Sequence, residues 1–238
     1  MSQRQRSRWC LLALCALPLL AGCGGSGPGG VRGVVTYAGP DTGKPISMQG
    51  DPACASLHPA PVESDEIALR GGKLANVFVY VKRGLEGKSF PAPVEKKRVD
   101  QRGCLYVPRV LGVQVGQAVE FTNGDATLHT VHAVPAANAE FNEPQTEGAP
   151  PVDRTFGRPE VMVPVRCDIH PWMIAWVGVL PHPYYAVSGE DGGFSIRKLP
   201  PGRYTLEAWH ETLGTRTREV TVVPGRTAMV DFDFKPKP

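Results

Sequence analysis

Apolar residues recur at every second position over most of the chain. In "VQVGQAVEF", Val113 and Val115 alternate with polar neighbours, and Val119 and Phe121 resume the pattern after a Gly. In "VMVPVRC", the positions Val161, Val163, Val165 and Cys167 fall on one face. In "MVDFDF", Val230, Phe232 and Phe234 stand opposite Asp231 and Asp233. Period two is the signature of a strand with one buried face. Turn signals separate the runs: "NGD" at Asn123, "EDGG" at Glu190, "PPG" at Pro200 and "PG" at Pro224. The 27 Gly and 24 Pro cut the chain into short pieces, and no long helical periodicity competes. An all-β chain of one or two sandwiches is expected. On the strand that ends at Cys167, the sulfur shares its face with three valines and so points inward. A buried core Cys is the plain alternative to a functional thiol.

The first residues depart from this pattern. Arg4, Arg6 and Arg8 precede an apolar run that ends in Leu20-Ala21-Gly22-Cys23, followed by "GGSGPGG". The run has signal-peptide length and is too short to span a bilayer. The site resembles the lipobox of bacterial lipoproteins, which implies removal of residues 1–22, lipidation of Cys23 and a flexible tether over 23–30. The chain holds 26 Lys and Arg against 23 Asp and Glu, and three of those arginines precede Cys23 where no acidic residue stands. The remainder is balanced, with no net positive charge for nucleic acid or anionic lipid. The membrane would be reached by the lipid anchor only. The expected location is the cell envelope, on the periplasmic or extracellular face.

The six cysteines sort accordingly. Cys10 and Cys15 leave with the signal and Cys23 carries the lipid. Cys54, Cys104 and Cys167 then face an oxidising compartment. Cys54 and Cys104 lack metal-type partners nearby and are read as a disulfide. Cys167 is left as a free thiol, which metal ligation would protect.

Two segments bear on that thiol. "VGQAVEFTNGDATLHTVHA" carries His129 and His132 behind a strand and a turn, and "VPVRCDIHPWM" packs Cys167, His170 and Met173 into one short loop. Together they resemble the cupredoxins: the first is similar to the plastocyanin-type strand that leads to a ligand His, and the Cys-x2-His-x2-Met spacing is similar to the short ligand loop of amicyanin. The resemblance implies copper, with His129, Cys167 and His170 as strong ligands and Met173 as a weak axial one. Two imidazoles, a thiolate and a long thioether hold both copper oxidation states without large rearrangement. It also implies that the His170 ring edge, flanked by Pro171 and Trp172, is the exit toward redox partner proteins. The chain departs from the family where "PEVMVPVRC" replaces an aromatic-rich strand, where Thr130 follows the first His, and where Arg166 adjoins the thiolate. Zinc fits less well, since Met is not a usual zinc ligand. A Cys-His nucleophile would leave Met173 without a role. His132 lies three residues from His129 and so faces away from it on a strand. His58, His182 and His210 read as polar residues of loops and strand ends, with a docking role for His210 as the sharper alternative.

"VSGEDGGFSIRKLPPGRYTLEAWHETLGTRTREVTVVPG" resembles the carboxypeptidase regulatory-like domain, a transthyretin-like sandwich. The opening strand typical of that family stands far upstream, as "VRGVVTYAGPDTGKPI". The expected organisation is a split sandwich built from residues 31–94 and 182–238, with a cupredoxin-like Greek-key sandwich over 95–181 between them. The alternative is an elaborated cupredoxin over 31–181 followed by a truncated module. No acid pair, metal motif or nucleophile in the second module suggests catalysis. The chain is expected to be a copper-binding one-electron carrier and not an enzyme. Copper storage, sensing or delivery is the first rival, and a non-redox structural or carbohydrate-binding lipoprotein is the second.

Overall fold

The computed structural model describes residues 27–41 and 43–236, so the expected signal segment and Cys23 lie outside the described residues. The chain is nearly all β. Its one α-helix among the described residues is Pro52–Leu57, capped by Asp51, whose carboxylate accepts from the amides of Ala53 and Cys54.

Four of the sheets pair into two sandwiches. In the first, a sheet ordered Val152–Thr155, Ala118–Asn123, Lys97–Gln101, Tyr106–Val107 faces one ordered Phe141–Gln145, His129–Ala133, Glu160–Arg166, Ile174–Leu180, Val110–Gln114. Val99, Val119, Phe121, Val131, Val165, Cys167 and Val177 meet in the core between them. In the second, Gly29–Tyr37 lies between Gly193–Leu199 and the C-terminal strands Thr227–Met229 and Phe232–Phe234. Phe78–Arg83 lies between Tyr185–Val187 and Gly202–His210 in the facing sheet. Val31, Val35, Leu74, Ile196, Leu206, Phe232 and Phe234 fill this core. The second sandwich therefore draws strands from both ends of the chain, and the first sits in the interval between Arg83 and Tyr185.

The period-two reading holds locally and breaks where the sheet bends. Phe232 and Phe234 are buried and Asp231 and Asp233 exposed. Val163, Val165 and Cys167 face the core, but an irregular register between Glu160 and Val163 shifts the strand, and Val161 is half-buried outside that core. The stretch 45–63 departs from the expected boundary. Ile46, Met48, Cys54 and Val62 pack into the first sandwich, although the flanking strands belong to the second.

The two sandwiches meet through a notch. Gly112 and Gly178 are paired side by side on parallel strands. A Cβ on Gly112 would stand 2.2 Å from the Tyr185 ring, and one on Gly178 would stand 2.5 Å from Phe78. Only glycines let those rings seat against the sheet. Next to the notch, Arg109 donates to both carboxylate oxygens of Glu211, at 2.6 and 2.9 Å, and to Asp65 at 2.6 Å. Trp176 donates its indole N–H to the same Glu211.

Candidate metal centre

The strand His129–Ala133 and the turn after the strand Glu160–Arg166 lie side by side, because His132 pairs with Arg166 and Ala133 with Val165. This register carries His129 to the mouth of the loop 167–173. Backbone hydrogen bonds close that loop: Cys167 N to Met173 O, and Met173 N to His170 O. His129 Nδ1 and His170 Nδ1 face each other at 2.9 Å, and Cys167 Sγ lies 3.7 Å from His170 Nδ1. The three donor atoms lie within 4.8 Å of one another, and all three residues are buried. Met173 is fully buried in the same core cluster as Cys167.

Each imidazole is held by a carboxylate on its outer nitrogen. Asp125 Oδ2 lies 3.0 Å from His129 Nε2, and Asp51 Oδ2 lies 3.0 Å from His170 Nε2. A carboxylate there accepts from the ring N–H at Nε2 and orients each imidazole so that Nδ1 faces the centre. Asp125 is itself anchored by the amides of Gly103 and Cys104, both at 2.7 Å. Both residues have positive φ, and in that conformation their two successive N–H groups reach one carboxylate. Asp51 is anchored by its helix-cap bonds and by the Thr127 hydroxyl. The amide of Cys54, with His170 and Thr127, holds its carboxyl down at about 2.

The thiol environment favours the anion. Burial pushes Cys167 up, but the hydrogen bond with His129 and the amides of Thr130, His170 and Ile169 outweigh it and bring it down to about 6. Burial pulls His129 down, while Cys167 and Asp125 raise it further. The donors brought together, two borderline imidazole nitrogens and one thiolate, suit a thiophilic transition-metal ion.

Cys54 and Cys104 form a disulfide. It touches the centre: Cys54 Sγ lies 3.7 Å from His170 Nε2, and Trp172 donates its indole N–H to Cys104 O at 2.9 Å. His132 faces away from His129 and bonds to Asp168 and Glu140. The Thr130 hydroxyl accepts from the Asp168 amide, so its side chain helps to shape the ligand loop.

Several expectations change. The resemblance implies an exit toward partners at the His170 ring edge; in the structure that ring is only 2 % exposed and its outer nitrogen is covered by Asp51 and Cys54. His210 does end its strand, but it and His182 are buried, which leaves the docking role for His210 without an exposed ring. His58 is half-buried, with Nε2 2.7 Å from Gly103 O. Asp51 and Asp125 escaped the sequence reading. Asp125 has a signal, since it stands four residues before His129 in the "NGD" turn. Asp51 has none, because 119 residues separate it from His170.

The carboxypeptidase regulatory-like domain model matches residues 177–235. The match begins inside the strand Ile174–Leu180, which belongs to the first sandwich. No curated protein matches the chain. Among solved structures the neighbours include a purple cupredoxin from Nitrosopumilus maritimus, 21% identical over 35% of this chain and 98% of that one, with a TM-score of 0.30. A Cu(I) amicyanin variant is 22% identical over 42% of this chain and 97% of its own, with a TM-score of 0.33. A copper-containing nitrite reductase from Thermus scotoductus is 19% identical, with a TM-score of 0.34; 63% of this chain matches 28% of the reductase.

Proposed function

We propose that the protein is an exported, lipid-anchored copper protein that carries single electrons between redox partner proteins of the cell envelope, and that it is not itself an enzyme. The observation that carries the reading is the convergence of His129 Nδ1, His170 Nδ1 and Cys167 Sγ in a buried site. Those atoms would hold the copper, with the Met173 thioether as a further, weaker donor. When bound, copper supplies a Cu(II)/Cu(I) couple that needs no proton or substrate. The chain's own residues do the rest. Asp125 and Asp51 fix the imidazoles, the Thr130 amide donates to the Cys167 sulfur at 3.4 Å, and the hydrogen-bonded loop resists rearrangement. A site that changes shape little between oxidation states suits fast outer-sphere transfer.

Adding Cu(II) to the full chain is expected to give an intense visible thiolate-to-copper absorption, which Cys167→Ser removes. A colourless protein with full copper occupancy would refute the assignment. Voltammetry separates the carrier from the copper-handling rival. A carrier cycles reversibly with its copper retained beside a Cu(I) chelator, whereas rapid loss to the chelator marks delivery or storage. Lipidation of Cys23 is tested by fractionation: the wild type pellets with membranes and Cys23→Ala does not.

A further inference from the structure

The segment that covers His170 is a loop closed on itself. A two-residue ladder, Pro45 with Glu63 and Ile46 with Val62, joins its ends. Between them runs residues 47–61, containing the helix Pro52–Leu57, of which only Cys54 is buried. A helix of this length has no stability of its own, so what holds it over the site is a few attachments. These are the disulfide to Cys104, the Asp51 bonds to His170 and Thr127, the His58 contact with Gly103, and Met48 in the core. The disulfide is the one covalent tie, and both of its residues are buried beside the centre: Cys54 touches His170, and the Cys104 amide helps to hold Asp125 on His129.

We propose that residues 47–61 form a closure over the metal centre, latched by Cys54–Cys104. The closure controls how chelators, solvent and partners reach His170. This rests on the reading of His170 as a copper ligand for its functional meaning, but the closure itself is a property of the chain. It has two consequences. Copper in the latched protein is shielded from competing ligands on the His170 side. An electron that leaves by that side must also pass the Asp51–Cys54 cover and cannot leave through a bare imidazole edge.

The test measures access to each ring directly, as hydrogen–deuterium exchange at the imidazole C2 position of the full chain, read by mass spectrometry. In the metal-free protein, His170 should exchange slowly. Replacing both cysteines, Cys54→Ala with Cys104→Ala, should accelerate His170 by on the order of tenfold or more, as expected when an opening equilibrium loses a cross-link. His129, behind the loop, should stay slow. An unchanged His170 rate in a folded double variant overturns the closure, and so does an equal acceleration of both histidines, which would mean general loosening. Should the double variant fail to fold, Asp51→Ala carries the test: it keeps the disulfide but removes the carboxylate over Nε2 and the helix cap, and an unchanged His170 rate there overturns the proposal. A parallel experiment on copper-loaded protein should show faster Cu(I) loss to a chelator in the double variant. A chain that binds no copper yet shows the His170 effect would defeat the copper reading and leave the closure standing.

Discussion

Removing the Cys54–Cys104 bridge should destabilise the protein mainly through its unfolded state. The bridge joins residues 50 apart in sequence. Loop-closure entropy for a loop of that size corresponds to about 4 kcal/mol at 25 °C, between the values for short and hundred-residue loops. Alanine is the better replacement, because both sites are fully buried and a serine hydroxyl there would add a desolvation cost of its own. The backbone contacts on the Cys104 side do not use its sulfur: Asp125 can still accept from the amides of Gly103 and Cys104, and Trp172 can still donate to Cys104 O. Urea unfolding followed by Trp fluorescence and circular dichroism should therefore show a loss of roughly 4 kcal/mol, with a larger m-value because the uncrosslinked chain unfolds further. The melting temperature should fall by about 8–16 °C at the usual 2–4 °C per kcal/mol for a chain of this size. Wild-type protein measured in a dithiol reductant should approach the variant's stability. A loss below about 1 kcal/mol in a folded variant, with m unchanged, would refute the chain-entropy reasoning.

Other predictions concern groups away from the centre. Arg109→Ala strips the guanidinium from Glu211, whose side chain is 9% exposed, and should cost about 3–5 kcal/mol in urea unfolding; a cost under about 1 kcal/mol would show that the junction does not depend on this pair. His210 is held neutral, its pKa pulled down to about 4 by burial, whereas an exposed histidine titrates near 6.5. Between those values the unfolded chain binds the extra proton, so stability should fall as pH drops from about 6.5 to about 4, by roughly 3 kcal/mol in all. His210→Phe should flatten that slope, and an NMR titration placing His210 near 6.5 in the folded protein would remove the basis of the prediction.

The sequence by itself determined whatever depends on neighbours along the chain. Alternation at Phe232 and Phe234 against Asp231 and Asp233 marks a strand and its buried face, because side-chain direction in a strand is fixed by local geometry. That Cys167, His170 and Met173 share one loop was legible for the same reason, since seven residues leave no room for them to separate. The pairing of Cys54 with Cys104 could be expected because neither has metal-type neighbours in sequence, and the structure forms it. Tertiary structure decided the rest. A buried group leaves no mark on its neighbours in sequence, so His210 between its strands reads like any polar strand end. Gly112 and Gly178 look like ordinary strand glycines until two parallel strands set them side by side under Tyr185 and Phe78. The cover on His170 is the clearest case. Asp51 reaches the ring because strands from both ends of the chain close one sandwich and leave the 45–63 loop against the other. A contact across 119 residues is fixed by how the sheets pack, and no local pattern around Asp51 encodes it.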